Sequence, residues 1–216
     1  MYKYLLFDLD GTLTDSQEGI INCIYHALNG LGIEVPEMSV LKRFLGPPLS
    51  VSFRETIGLD DETADKAVKL YRERYSTVGL FENRPFEGIE ELLCRLQKAG
   101  FTLAVATSKP EPFSVRILER FGLSKYFGVV TGSGLDGSLD TKAEVIEETL
   151  RRLGCTDKSR AVMVGDRKND ILGAHAAGLP CIGVGWGYAE EGELEAAGQD
   201  AFAGDMDALA ELLCTG

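Results

Sequence analysis

Short apolar segments alternate with amphipathic ones from Glu87 onward, and this pattern restricts the possible folds more than any other feature. Segments such as FTLAVAT and RAVMVG are typical of buried strands, and the segments between them carry apolar residues at helical spacing. A further apolar run, KYLLFD, stands near the start of the chain. Because strands and helices that alternate regularly form parallel sheets covered by helices, the sequence predicts the α/β class.

Residues 15–82 depart from this alternation, because they contain helix signals and no convincing strand. Apolar residues at helical spacing recur on both sides of Gly46-Pro47-Pro48. We therefore expect a Rossmann-like parallel sheet core with helices on both faces, formed by residues 1–14 and 83–216. Residues 15–82 are predicted to form an all-helical cap that is inserted after the first strand.

The charge balance excludes two classes of partner. The 216 residues include 22 basic and 34 acidic side chains, which gives a net charge of −12. A chain this acidic, without a long basic run, is unsuited to a nucleic-acid backbone or to an anionic membrane surface. Its longest apolar stretch, residues 101–106, is far shorter than the roughly 20 residues that a membrane span needs. We expect neither nucleic acid nor membrane as a partner.

Cysteine usage and the first residues indicate the compartment. The five cysteines are odd in number and form no CxxC pair, which favours reduced, mostly buried thiols in a cytoplasmic protein; they are Cys23, Cys94, Cys155, Cys181 and Cys214. The opening segment MYKYLLFDLDG carries two aspartates among its first ten residues, which a secretory signal does not. We expect a cytoplasmic protein, either a monomer or a homodimer.

Polar residues follow three of the predicted strands at the point where each strand ends. The first strand ends in Asp8-Leu9-Asp10, the second in Thr107-Ser108-Lys109 and the fourth in Gly165-Asp166. In open parallel sheets, ligands bind beyond the carboxyl ends of the strands. Because three strand ends carry reactive groups, we interpret them as one binding site and not as separate helix caps.

Four aspartates of this set predict a metal site. Gly11 lets the chain leave the first strand, so that Asp10 can turn toward the same space as Asp8. Asp166 and Asp170 share one face of the following helix, because they are four residues apart. Converging carboxylates repel one another, and burial penalises their ionised forms. A hard divalent cation removes this cost, and oxygen ligands together with a substrate phosphate suit Mg²⁺.

These residues resemble four motifs of the haloacid dehalogenase superfamily phosphatases. The motifs occur in the expected order along nearly the whole chain: DLDGTLTDS, Thr107-Ser108, Lys142 and GDRKND. Within the superfamily, the chain is similar to the phosphoglycolate phosphatase-like branch, with FLGPPL in the predicted cap and GDRKNDILGA in the core. The resemblance implies a Mg²⁺-dependent phosphatase that hydrolyses a small-molecule phosphate ester.

The resemblance also implies a role for each motif. Asp8 would be the nucleophile that forms an aspartyl-phosphate, and Asp10 would act as general acid and then as general base. Thr107 and Ser108 would hold phosphate oxygens. Lys142 would neutralise charge on the nucleophile and on the phosphoryl group. Four aspartates would hold Mg²⁺: Asp8, Asp10 through its main-chain carbonyl, Asp166, and Asp170 as a ligand or as a support for one.

Two cations are further candidates for contact with the substrate. Lys109 follows the second strand, and Arg43 lies in the predicted cap. The alternative for Lys109 is that it only lines the entrance to the site. The alternative for Arg43 is a solvated helix face.

Several functions stay open within this class. The branch resemblance favours phosphoglycolate or another small organic phosphate, and a 5'-nucleotidase that acts on nucleoside monophosphates is the first alternative. Ser108 and Arg167 are not the residues most typical of the superfamily at these places. A sugar-phosphate mutase would also keep Asp10. A non-catalytic binding protein on this scaffold is disfavoured, because all the motif residues are present.

Three other signals are interpreted as structural. Residues 132–137 match the dinucleotide pattern G-x-G-x-x-G, but the next helix is delayed until about Lys142, which indicates a connecting loop. His26 and His175 have no cysteine or histidine partner at zinc spacing. The segment GVGWGY at residues 183–188 follows the fifth strand and is interpreted as a loop beside the site.

Overall fold

The structure is a computed structural model that describes residues 1–215. Tertiary contacts divide the chain into two units. The first unit joins Met1–Thr14 to the chain from Pro85 onward, and the second unit is Asp15–Arg84. No helix in the described part of the chain combines the length and the apolar character that crossing a membrane requires.

Within residues 1–215, eight strands form one large and one small sheet. The strands are β1 (Tyr4–Phe7), β2 (Thr14–Asp15), β3 (Arg84–Pro85), β4 (Thr102–Pro110), β5 (Phe127–Ser133), β6 (Ala161–Gly165), β7 (Cys181–Val184) and β8 (Ala201–Ala203). The large sheet has the order β5-β4-β1-β6-β7-β8, and all its neighbouring strands run parallel. The small sheet pairs β2 with β3. The predicted α/β class with a parallel sheet is therefore confirmed.

The second unit contains four α-helices. Its only strand residues are its first and last residues, Asp15 of β2 and Arg84 of β3. The helices are α1 (Gln17–Gly30), α2 (Met38–Leu41), α3 (Leu49–Glu55) and α4 (Asp61–Tyr75). The α4 helix begins where the Asp60 carboxylate accepts a hydrogen bond from the Thr63 main-chain nitrogen at 2.8 Å. Its inner face buries Ala67, Tyr71 and Tyr75, at the spacing that an amphipathic helix requires.

In the described part of the first unit, six further α-helices flank the large sheet. They are α5 (Ile89–Lys98), α6 (Glu111–Arg120), α7 (Lys142–Leu153), α8 (Lys168–Ala176), α9 (Glu193–Ala197) and α10 (Met206–Thr215). The α7 helix starts with a capping box between Thr141 and Glu144 and ends at Gly154, which has a left-handed backbone. Val145 and Ile146 of α7 pack into the same buried cluster as Ile171 of α8.

The central position of β1 determines where reactive residues meet. Leu5, Leu6 and Phe7 are fully buried, as a strand covered on both faces of a parallel sheet requires. Because β1 pairs with β4 on one side and with β6 on the other, the carboxyl ends of these three strands lie together at one edge of the sheet.

The structure differs from the sequence prediction in four details. The second strand was predicted from the segment FTLAVAT, residues 101–107, but β4 extends three residues further, to Pro110. Apolar spacing in the sequence predicts a helix over residues 171–177, and in the structure this helix begins three residues earlier, at Lys168. The short elements β8 and α9 were not predicted. All five cysteines are free thiols, but only Cys23 and Cys181 are buried, so the expectation that most are buried is wrong.

Candidate active site

The carboxyl ends of β1, β4 and β6 bring the predicted site residues of the first unit together. Asp8 directly follows β1, Thr107 lies in β4, and Asp166 directly follows β6. The main-chain nitrogen of Asp8 donates a hydrogen bond to the carbonyl oxygen of Val164 at 2.9 Å. The parallel ladder thus continues up to the first reactive carboxylate and fixes its position.

Three carboxylates form a buried cluster at this edge. Asp8, Asp166 and Asp170 each offer an oxygen, and these oxygens all lie within 4.8 Å of one another. The three residues are 7%, 0% and 2% exposed. Burial, and then repulsion from the other two carboxylates, raises the pKa of Asp166 well above its usual value. Burial is also the main cause that raises the pKa of Asp170 to about 6, although Lys142 acts in the opposite direction.

Lys142 bridges two members of this cluster. Its Nζ lies 2.8 Å from Asp8 Oδ1 and 2.7 Å from Asp170 Oδ1. Burial alone would lower the pKa of the ammonium group, but the charges of Asp170 and Asp8 outweigh this effect and raise the pKa. Lys142 is therefore a permanent positive charge beside Asp8. The absence of a side chain at Gly173 permits this arrangement, because a Cβ there would lie only 2.6 Å from the Cβ of Lys142.

Asp166 is held by hydrogen bonds from two loops. The Thr12 hydroxyl donates to Asp166 Oδ1 at 3.1 Å, and the main-chain nitrogen of Tyr188 donates to Asp166 Oδ2 at 2.8 Å. Both loops approach so closely that only glycine fits. A Cβ on Gly11 would lie 2.1 Å from Asp166 Oδ2, and one on Gly187 would lie 2.2 Å from the Asp166 Cβ.

The loop after β7 lies beside the site, as the sequence predicted. Besides the contacts of Gly187 and Tyr188, the indole Nε1 of Trp186 donates to the carbonyl oxygen of Thr12 at 3.0 Å. This bond connects the loop after β7 to the loop after β1. The segment GVGWGY predicted a loop here, but its first two residues, Gly183 and Val184, belong to β7. The indole contact was not predicted.

The start of α8 orients Asp170. Its Oδ2 accepts a hydrogen bond from the main-chain nitrogen of Arg167 at 3.0 Å. A Cβ on Gly165 would lie 2.3 Å from the Asp170 Cγ, so a glycine is needed there as well. Arg167, the unusual residue of this motif, pairs with Glu193 of α9 at 2.8 Å, with each side chain 10% exposed. The sequence did not predict this partner.

Asp10 lies apart from the three-carboxylate cluster and pairs with Lys109. Lys109 Nζ is 2.7 Å from Asp10 Oδ2. The loop that carries Asp10 turns sharply, since the Gly11 nitrogen donates to the carbonyl oxygen of Thr14 at 2.8 Å and Gly11 has a positive φ of 83°. The structure thus gives the Asp10 side chain a lysine partner that the sequence did not predict.

Thr107 and Ser108 lie where β4 becomes irregular. The pairing of β4 with β5 shifts register between Thr107 and Pro110. Thr107 is buried, and its Oγ1 accepts a hydrogen bond from the Lys109 nitrogen at 3.3 Å. The Ser108 carbonyl oxygen accepts one from the Ser133 hydroxyl at 2.9 Å. The predicted contacts of Thr107 and Ser108 with phosphate stay a prediction.

The remaining candidates lie elsewhere in the chain. Arg43 is an exposed residue of the second unit, in the 3₁₀ turn Lys42–Phe44, and its contact with substrate stays a prediction. The loop interpretation of the G-x-G-x-x-G segment is confirmed, because β5 ends at Ser133 and α7 begins only at Lys142. His26 is exposed on α1, and His175 of α8 pairs with Asp200 at 2.8 Å.

The charges of the site fit a divalent cation. Asp8, Asp10, Asp166 and Asp170 supply four carboxylates, and within the described chain two ammonium groups contact them, from Lys109 and Lys142. When all are ionised, two negative charges are left without compensation. Carboxylate oxygens are hard ligands. Burial is the main cause that raises the pKa values of Asp166 and Asp170, and repulsion from Asp8 adds to it, so a bound cation would lower the cost of ionising both groups.

Comparison with known proteins gives a consistent result. A family model of haloacid dehalogenase-like hydrolases matches residues 5–184. The chain is 45% identical over 212 residues to a 5'-nucleotidase of Pseudomonas aeruginosa, covering 98% of this chain and 96% of that protein. It is 31% identical over 191 residues to a phosphoglycolate phosphatase of Mesorhizobium japonicum, covering 86% and 84%.

Two further matches complete the comparison. A tyrosine-protein kinase PtkA of Mycobacterium tuberculosis is 45% identical over 186 residues, which cover 86% of this chain but only 63% of that longer protein. Among solved structures, a predicted phosphatase from Clostridium acetobutylicum superimposes with a TM-score of 0.95 at 44% identity, with 100% of both chains covered.

Proposed function

Because this chain belongs to the haloacid dehalogenase-like hydrolases, we propose that it hydrolyses a small phosphomonoester through an aspartyl-phosphate on Asp8 and depends on Mg²⁺. That it is a phosphoric monoester hydrolase follows from its phosphatase relatives and structural neighbours. The observation that carries the mechanism is the contact between Asp8 and the buried ammonium of Lys142 at 2.8 Å, inside a cluster of carboxylates.

Asp8 is the proposed nucleophile. One of its oxygens attacks the phosphorus, and the bond from phosphorus to the ester oxygen breaks as the new bond forms. The leaving alkoxide takes a proton from Asp10. A water molecule then attacks the phosphorus of the aspartyl-phosphate and gives a proton to Asp10, while the bond between phosphorus and the Asp8 oxygen breaks. Phosphate is released, and both aspartates return to their initial states.

Lys142, Thr107 and Ser108 are proposed to stabilise the phosphoryl group. Lys142 keeps its proton, because two buried carboxylates raise its pKa, and its charge reduces the repulsion between Asp8 and an anionic phosphate. The Thr107 hydroxyl and the main-chain nitrogen of Ser108 stand at the irregular end of β4, where main-chain groups are free of the regular ladder. We assign them to the phosphate oxygens.

Mg²⁺ is the proposed cofactor, and four residues would hold it: Asp8, Asp10 through its carbonyl oxygen, Asp166 and Asp170. When bound, the ion would compensate the two negative charges that the lysines leave uncompensated, and it would lower the electrostatic repulsion between the site and an approaching phosphate. Thr12 and Tyr188 keep Asp166 in place, and the Arg167 nitrogen does the same for Asp170.

The helical unit is proposed to serve as a cap that contributes to substrate selectivity, with Arg43 as its candidate substrate contact. The sequence favoured small organic phosphates such as phosphoglycolate, with nucleoside 5'-monophosphates as the first alternative and a sugar-phosphate mutase as another. The relative named 5'-nucleotidase is 45% identical over almost the whole chain, and the relative named phosphoglycolate phosphatase is 31% identical. We therefore favour nucleoside 5'-monophosphates as substrates.

A substrate panel tests this proposal. Phosphate release is measured with nucleoside 5'-monophosphates, phosphoglycolate and a hexose phosphate, each with Mg²⁺ and with a chelator. We expect the highest kcat/KM for a nucleoside 5'-monophosphate and loss of turnover with the chelator. Isomerisation of the hexose phosphate would instead indicate a mutase. A full rate in the chelator would contradict the proposed metal dependence.

A further inference from the structure

Lys109 and Asp10 form an ion pair that is secluded from solvent. Their side chains are 6% and 13% exposed, and the Nζ to Oδ2 distance is 2.7 Å. A surface pair such as Lys66 with Glu62 leaves 58% and 82% of its side chains exposed. Exposed pairs contribute little, because water and side-chain motion compete with them. A pair shielded in this way holds its carboxylate in a defined orientation.

The main chain around Lys109 is held in a defined conformation, which restricts the position of its ammonium group. The pairing of β4 with β5 skips from Thr107 opposite Gly132 to Pro110 opposite Ser133, so Lys109 lies in a bulge. Its nitrogen donates to Thr107 Oγ1 at 3.3 Å. Gly132 packs closely on the bulge, because a Cβ there would lie 2.3 Å from the Lys109 carbonyl oxygen. Lys109 therefore extends from a restrained backbone.

The two carboxylate oxygens of Asp10 have different surroundings. Oδ2 receives the lysine, whereas Oδ1 is buried and has no hydrogen-bond partner in the described chain. A buried acceptor without a partner is costly. A group that exchanges protons with a substrate oxygen needs such a vacant position.

We propose that Lys109 is a positioning residue for Asp10. Its ammonium donates a hydrogen bond to Oδ2. When Asp10 enters the first step protonated, Oδ1 is thereby the oxygen that carries the proton and gives it to the leaving group, and the resulting carboxylate later takes a proton from the attacking water at the same oxygen. This inference rests on the role of Asp10 under the proposed function. It replaces the expectation that Lys109 binds the substrate directly.

Two substrates with different leaving groups separate the two roles of Lys109. An alkyl phosphate such as a nucleoside 5'-monophosphate needs a proton on its leaving oxygen, whereas p-nitrophenyl phosphate releases a stable phenolate without one. Lys109→Met is expected to lower kcat for the alkyl ester about 100-fold, which is the scale of general acid catalysis. KM stays unchanged, and the first-turnover burst of nitrophenolate is retained. Lys109→Arg, which keeps the charge, restores part of kcat.

The same data contain the outcomes that would overturn the proposal. An equal rise of KM for both esters with unchanged kcat would show that Lys109 binds the substrate phosphate. Loss of the nitrophenolate burst, or unchanged kinetics with both esters, would equally overturn it. Lys109→Gln is the second variant if Lys109→Met fails to fold, and Lys125→Met is the control, since Lys125 pairs with Glu90 on the surface. If the wild-type protein hydrolysed neither ester in the presence of Mg²⁺, the proposed function itself would fail.

Discussion

The ammonium group of Lys142, the first residue of α7, lies 2.8 Å from the carboxylate of Asp8 at the end of β1. A lysine at a helix N-terminus is unfavourable for the helix dipole. Here two buried carboxylates outweigh that cost, because Lys142 also lies 2.7 Å from Asp170. The contact gives the proposed nucleophile and its proposed neutralising charge a fixed separation before any substrate binds.

Replacing Lys142 by methionine should abolish most of the activity. The change removes the charge that offsets repulsion between Asp8 and the phosphate, and we expect kcat to fall by about 100-fold to 1000-fold. Removing one partner of a buried ion pair also destabilises the fold, by about 3 kcal/mol. Phosphate release and thermal unfolding measure the two effects. Lys125→Met serves as the surface control, and a Lys142→Met variant with wild-type kcat would remove Lys142 from the mechanism.

Gly173→Ala tests the packing that places Lys142. A Cβ at this position would lie 2.6 Å from the Cβ of Lys142, so α7 and α8 must move apart. Overpacking of this kind costs about 1–3 kcal/mol, and the displaced ammonium should lower kcat. Gly128→Ala is the matched control, since a Cβ there meets no atom within 4 Å. Equal stability and activity of the two variants would refute the packing argument.

Thr12→Val tests the support of Asp166. The buried Thr12 hydroxyl donates to Asp166 Oδ1 at 3.1 Å, and loss of such support for a ligand typically weakens metal binding about 10-fold to 100-fold. Calorimetric titration with Mg²⁺ measures the change. Thr149→Val is the control, because the buried Thr149 hydroxyl donates within α7 to the carbonyl oxygen of Val145 at 2.7 Å. The idea fails if both variants bind Mg²⁺ as the wild type does.

Stabilisation by Mg²⁺ should increase with pH. The folded-state pKa is raised to about 6 for Asp170 and is also raised for Asp166. In the metal-free protein, ionisation of these groups therefore destabilises the fold as pH rises from the usual pKa of an aspartate toward these raised values. Mg²⁺ takes the place of the protons and offsets this loss. The rise in Tm on adding Mg²⁺ should be larger at pH about 7.5 than at pH about 5. An equal rise at both pH values would contradict this linkage.

The sequence could predict the elements and residues that follow from local pattern. Apolar periodicity identified β1, β4 and β6. The sequence also placed Asp166 and Asp170 close together, although α8 begins only at Lys168, so Asp166 lies before the helix and not on its face. The reason is that each signal lies within a few neighbouring residues, where backbone geometry alone relates one side chain to the next.

Contacts between residues that are far apart in the chain could not be predicted from the sequence. The pair of Lys109 and Asp10 depends on a bulge in β4 whose register cannot be seen in the residues themselves. The need for glycine at Gly173 arises only when α8 packs on α7. The strand β8 was missed because three residues with mixed burial carry too little periodicity.

Chemical trapping of the phosphoryl group on Asp8 tests the account most directly. Asp10→Asn is mixed with p-nitrophenyl phosphate and Mg²⁺, quenched in acid and reduced with borohydride, which converts an aspartyl-phosphate to homoserine. Because the variant lacks the base that activates water, the adduct should accumulate, and peptide mass spectrometry should find homoserine at position 8. Release of nitrophenolate with an unmodified Asp8 would contradict the account.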